Sequence, residues 1–197
     1  FSNIFNSLWN LVKLAVFGTA SIISNIIEGI VDGFDALIHG HIWDGLTWPI
    51  KVALNVGWNT VMLGANMLNV AVDPFWQLAR PQDPRSDVFL IGQDWRMRTV
   101  VRGGPLTRGP KIFGFGGSNS FAVSSAFINT PLQDPMKTSS LDTRDTQLIP
   151  HEFSHTLQIQ NSFLLDSLYN TIWRRQKMEA GADGIGKPYN DKIWIYR

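Results

Sequence analysis

Cysteine is absent from the 197 residues. That excludes a disulfide framework, a thiolate metal site and a cysteine nucleophile, and it leaves the compartment open. Charge is scarce as well. Asp, Glu, Lys and Arg together make up 17% of the chain, against about 25% in an ordinary soluble protein. The net charge of +1 gives no electrostatic case for nucleic acid as a partner. Glutamate occurs only at positions 28, 152 and 179, and histidine only four times, so any cluster of these residues stands out. What is present is an apolar share of 44% with eight tryptophans. That excludes a wholly disordered chain and suits one domain, or a small domain with an appendage.

The charges are unevenly spread. Only Lys13, Glu28, Asp32, Asp35, Asp44, Lys51 and Asp73 lie in residues 1–79. A proline-broken polar stretch, Arg80-Pro-Gln-Asp-Pro84, reads as the linker to residues 80–197. Phe1 is not an initiator and no basic segment precedes the apolar run, so the beginning is not a clean signal peptide and the chain is expected to be a piece of a longer one.

The first part reads as helical. Ile4, Phe5, Leu8, Leu11, Val12, Ala15 and Val16 form one apolar stripe, and Ile22, Ile23, Ile26, Ile27, Ile30, Phe34, Leu37 and Ile38 form another. Gly18 is expected to separate the two, and Thr47-Trp-Pro49 to start the next helix. Between Val52 and Val72 there is no charge. On a helix, Lys51, Asn55, Asn59, Asn66, Asn69 and Asp73 fall within an arc of roughly 80°, and nearly everything else is apolar or small. Two readings stay open: a hairpin packed on the C-terminal part, or contact with lipid. A plain membrane span fits less well, because four asparagines would need partners there.

The second part reads as mixed. Residues 87–92, 96–102, 111–115 and 120–128 are strand candidates, with Arg96, Arg98 and Arg102 suggesting alternation or an exposed strand. Helical patterning returns from about Thr146, with Asp145 or Thr146 near the cap and Pro150 tolerated in the first turn.

Residues 151–155 read His-Glu-Phe-Ser-His, the H-E-x-x-H pattern. Chains of this composition produce such a motif by accident on the order of once in a thousand. On a helix the imidazoles of His151 and His155 meet on one face, and Glu152 stands beside the open position of a shared metal. Zinc suits these donors, and a carboxylate beside it can take the proton of the attacking water. A third ligand is required. Glu179, 24 residues after His155, is favoured over Asp166 and Asp183. Asp183, four residues after Glu179, can hold the far nitrogen of a histidine ligand. For the donor that steadies a developing oxyanion the candidates are Tyr169, Tyr189 and Tyr196, with Tyr189 favoured. The glycine-rich stretch 113–121 could lead into an edge strand that receives an extended peptide, or form a plain hairpin turn. His39-Gly-His41 reads as a turn with two exposed histidines.

His151-Glu-x-x-His155 followed by Glu179-x-x-x-Asp183 resembles the gluzincin class of zinc metallopeptidases. More closely, residues 151–158 and 179–186 resemble the small metallopeptidase domains of bacterial polymorphic and Rhs-type toxins, with Ser154 standing where that family has Gly. The resemblance spans residues 151–186. It implies zinc held by His151, His155 and Glu179, Glu152 as general base, Asp183 supporting a ligand, and hydrolysis of peptide or protein substrates. It also implies a secreted bacterial effector, with an immunity or carrier protein as partner, while the charge-poor residues 1–79 leave a membrane-associated location open. The fold expected is α+β: a zincin-like small sheet with an active-site helix and a glutamate-bearing helix, preceded by a mostly α-helical region over 1–79. The competing expectation is a membrane-interacting protein whose zinc is structural or non-catalytic.

Overall fold

The computed structural model describes residues 2–108, 121–122, 124–131, 148–162, 182, 184 and 192–197. Two long helices, α1 (Ser2–Ile38) and α2 (Ile42–Ala79), come first. They are followed by β1 (Asp87–Gln93), β2 (Arg96–Arg102), a single turn α3 (Pro105–Arg108), β3 (Phe121–Ala122), β4 (Phe127–Thr130), α4 (Leu148–Asn161) and β5 (Trp194–Tyr196). The class is α+β, with a small mixed sheet behind a helical N-terminal region. The candidate strand at 111–115 and the caps at Asp145 and Thr146 lie outside the described residues.

The sheet runs β3-β4-β2-β1-β5. β1 pairs antiparallel with β2 and β5, β4 pairs parallel with β2, and β3 pairs antiparallel with β4. Successive strand residues point to opposite faces, which divides the core. Val88, Val101 and Phe127 pack with Leu14, Met62 and Val70 of the helical hairpin. Their neighbours Phe89, Ile91, Val100 and Ile128 pack with Ile149 and Phe153 of α4. The order is therefore hairpin, sheet, α4.

Two expected helix boundaries are corrected. α1 runs through Gly18, because that glycine lets Leu63 of α2 and Phe127 of β4 approach where a Cβ would collide. α2 begins at Ile42, with Pro49 inside it. A proline forgoes one backbone hydrogen bond, but the outward apolar stripe Trp43, Leu46, Ile50 and Leu54 continues through it at helical spacing. His39 and Gly40 make the turn between the helices, with Gly40 at φ 78°.

The hairpin packs on the sheet with the polarity of an ordinary surface helix reversed. Its buried positions on α1 include Ser7, Asn10, Ser21, Ser24, Asn25 and Glu28, and on α2 Asn55, Asn59, Asn66, Asn69, Asp73 and Gln77. The α2 set recurs at steps of three, four and seven, and on α1 the set forms two groups, Ser7 with Asn10 and Ser21 to Glu28, set eleven residues apart. These side chains grip loop backbone and strand ends. Asn10 Nδ2 donates to Ser86 O at 2.6 Å, while the Ser86 N–H donates to Asp73 Oδ2 at 3.1 Å. Asn25 Nδ2 donates to Ser125 O, and Asn59 Nδ2 to Ser125 Oγ. Asn69 Nδ2 donates to Gly103 O and its Oδ1 accepts from the Leu106 N–H. Asn129 Nδ2 of β4 donates to Asn66 Oδ1 at 2.8 Å. Each of these asparagines therefore finds at least one partner in the protein, worth about 1 kcal/mol net per satisfied pair, while Asn25 Oδ1, Asn66 Nδ2 and Asn129 Oδ1 are buried without one.

One charged group joins all three layers. Arg98, fully buried on β2 rather than on an exposed strand, forms a bidentate pair with Glu28 of α1 at 2.8 and 2.9 Å. Its Nε donates to Thr156 Oγ1 and another guanidinium N–H to Gln160 Oε1, both on α4. β4 joins β2 only from Thr99 onward, which leaves room for the guanidinium to pass beside the sheet. Removing one member of a buried pair strands the other. Arg98→Met is therefore expected to lower unfolding free energy by about 3–5 kcal/mol, and Arg98→Met with Glu28→Gln by clearly less. Denaturant unfolding of both variants checks this.

Burial holds the Asp32 carboxyl above its ordinary value of 3.8, Glu28 and Asp35 add to this, and Arg96 and Arg98 oppose it. The folded chain thus favours protonated Asp32, and ionised Asp32 works against folding at neutral pH. Asp32→Asn should raise the melting temperature at neutral pH. The gain should vanish as pH falls through the raised pKa, a trend that thermal melts across pH will show.

Candidate metal centre

α4 holds its chemistry by a division of faces. Ile149, Phe153 and Leu157, at steps of four, pack toward the sheet. Thr156 and Gln160 turn to Arg98, and Asn55 of α2 donates to Gln160 O at 3.1 Å, closing the far end of the helix on the hairpin. Ser154, fully buried, returns its hydroxyl to Pro150 O at 2.9 Å, so a small side chain is all the site asks of that position. His151 and His155 occupy the remaining face.

Their Nε2 atoms lie 3.1 Å apart, with the rings perpendicular and their centres separated by 4.7 Å. His155 Nδ1 is 2.9 Å from Gln158 Oε1. With the Gln158 carbonyl accepting, Nδ1 carries the proton and Nε2 offers its lone pair toward His151. His151 is buried and His155 half-buried. Two imidazole nitrogens bound to one tetrahedral zinc at about 2.0–2.1 Å stand roughly 3.3 Å apart, so the observed separation fits a shared cation.

Glu152 is buried, and its Oε2 accepts the Ala122 N–H of β3 at 2.8 Å. β3 ends the sheet. The carboxylate therefore stands between the histidine pair on its own helix and an edge strand of the sheet. Phe121 and Ala122 are that edge, while 113–120 lie outside the described residues.

The other expected site residues divide as follows. Glu179, Asp183, Asp166, Tyr169 and Tyr189 lie outside the described residues, and among the described residues no group of three His, Asp or Glu side chains could hold a metal. Tyr196 is on β5, the opposite edge of the sheet from β3, with its ring edge-on to Phe17 of α1. His39 and His41 sit exposed at the hairpin turn, His39 bonded to Asp35 O. Gln158 was not singled out by spacing, although it lies three residues after His155 on the same helix face, which is the signal that could have found it.

No protein-family model, curated protein or solved structure matches the chain.

Were the histidine pair to hold zinc, Gln158→Ala should leave the fold intact and weaken that binding about 10–100-fold, the usual effect of removing the partner of a histidine ligand. Competition with a chromophoric chelator measures it.

Proposed function

We propose that this chain is a zinc-dependent metallopeptidase of gluzincin type with a zincin-like arrangement of sheet and active-site helix. The observation that carries this reading is the convergence of the His151 and His155 Nε2 atoms at 3.1 Å with Glu152 beside them against an edge strand. His151, His155 and Glu179 would hold the metal, with Gln158 and Asp183 orienting ligands. The metal, when bound, polarises the scissile carbonyl and makes the attacking water acidic. Glu152 takes that water's proton and passes it to the leaving amine. Its Oε2 accepts the Ala122 N–H, so an extended peptide added as a strand at that edge would lie beside the carboxylate. Tyr189 would donate to the oxyanion. The likeness to toxin peptidase domains extends the proposal to a secreted bacterial effector acting on protein, held by a carrier or immunity protein.

Purified chain should contain one equivalent of zinc and His155→Ala should contain almost none. Glu152→Gln should keep the metal and lose about 10²–10⁴-fold in turnover of a peptide library. Equal zinc in wild type and His155→Ala would end the proposal. Retained turnover in Glu152→Gln would remove that residue from the chemistry, and bound zinc without any hydrolysis would make the metal structural.

A further inference from the structure

We propose that the outer face of the α1–α2 hairpin seats the protein on a lipid bilayer, lying flat in the interface rather than crossing it. The polar side chains of both helices are spent on the sheet and its loops, so the opposite faces carry what remains. Among the described residues, twenty-two of the twenty-six exposed large apolar side chains belong to these two helices, from Ile4, Phe5 and Leu8 to Val72, Phe75 and Leu78. At about half exposure each, they present on the order of 2,000 Å² of apolar surface, where a soluble monomer's largest patch is about 300–600 Å².

Charge decides the occupant. Lys13 is turned to Asp87 at 2.9 Å, Glu28 to Arg98 and Asp73 to Ser86. Asp32 is half-buried within reach of the Arg96 charge, and Asp35, Asp44 and Lys51 cluster near the hairpin turn, where Lys51 bonds Asp44 and holds its carboxyl below the ordinary range. The outward stripe between is uncharged. Of the exposed threonines Thr19 and Thr60, Thr60 is satisfied within the helix, Oγ1 donating to Val56 O at 2.8 Å, the arrangement by which a hydroxyl tolerates hydrocarbon. Trp9 and Trp43 project from this surface near opposite ends of the hairpin, 57% and 79% exposed, as indoles do at headgroup level. A second copy in a standard-size interface would cover about 800 Å² on each side, and only a large obligate interface would cover the stripe.

The same contacts decide the orientation. α1 has the length that a membrane span requires and contains an 18-residue stretch of mean hydropathy 1.7. Yet its inward face is bonded to the folded sheet from Asn10 to Glu28, a rise of about 27 Å, nearly the whole hydrocarbon thickness of about 30 Å. Crossing would drag the polar domain into lipid; lying flat leaves that domain in water.

The test is flotation of the full chain with phosphatidylcholine vesicles. Wild type should float with them in low and high salt alike, since hydrocarbon contact needs no counter-charge. Leu54→Lys/Val61→Lys/Leu68→Lys should bind at least about tenfold less while melting as wild type does, and Glu152→Gln should float normally, which separates this proposal from the peptidase reading. In the bound state, lipid-borne quenchers near the headgroups should quench tryptophan emission more than quenchers at the bilayer centre. A wild-type chain that stays in the aqueous fraction overturns the proposal. So does a stable dimer that does not float and that the triple variant dissociates, which would assign the face to a second copy. Stronger quenching from the bilayer centre would overturn the flat orientation.

Discussion

A guanidinium shut away from water needs a counter-charge and acceptors for its N–H groups, or its burial is prohibitive. Arg98 obtains these from three different parts of the chain: both carboxylate oxygens of Glu28 on α1, its neighbour's carbonyl at Met97, and Thr156 and Gln160 on α4. Ser24 adds a further hydrogen bond to Glu28. None of these groups can be satisfied unless hairpin, sheet and α4 are docked together. The pair therefore specifies an arrangement more than it adds net stability. The helix that carries His151, Glu152 and His155 is held at its carboxyl-terminal half by residues of the first 79.

The hairpin follows the same principle at lower charge. Asparagines at a/d-like spacing would be poor core residues against an apolar partner, since each amide demands directional bonds. Against loop backbone they become specific. Ser86 is held by Asn10 from one helix and Asp73 from the other, and Ser125 by Asn25 and Asn59. Each loop is thus clamped by both helices at once, which fixes the lateral position of the hairpin as well as its distance from the sheet. Leu14, Met62 and Val70 are the apolar exceptions that fill the space between these clamps.

How much of this was legible in the sequence depended on whether the deciding contacts were local. The two apolar stripes, the narrow polar arc on α2, and the places of β1 and β2 could be read from spacing, whereas the alternation expected of β2 is absent because helices cover both faces of the sheet. The partners of the polar arc could not, because they are backbone groups such as Ser125 O and Gly103 O, whose positions depend on the fold and not on residue type. The continuity of α1 through Gly18 depends on Leu63 and Phe127, both distant in sequence. Arg98 was misjudged for a related reason. An arginine in a strand reads as solvent-facing until Glu28, seventy positions earlier, is known to lie beside it. At the site, the H-E-x-x-H spacing brought the two imidazoles together as expected, whereas the role of Gln158 depends on a rotamer that spacing leaves open.

The two proposals meet on the geometry of α4. The sheet stands between the hairpin's outer face and the apolar face of α4, and the helix's far end, at Gln160, is bonded to the hairpin. His151 and Glu152 lie toward its other end, beside the β3 edge. A chain resting on a bilayer through α1 and α2 would hold the histidine pair away from the lipid and keep the edge strand open to the aqueous side. A substrate on that reading is a water-exposed protein segment near a membrane surface, one that can present an extended stretch to a sheet edge. A segment embedded in the bilayer would have to pass the hairpin and the sheet to reach Glu152, and those are the layers that the Glu28–Arg98 pair holds shut.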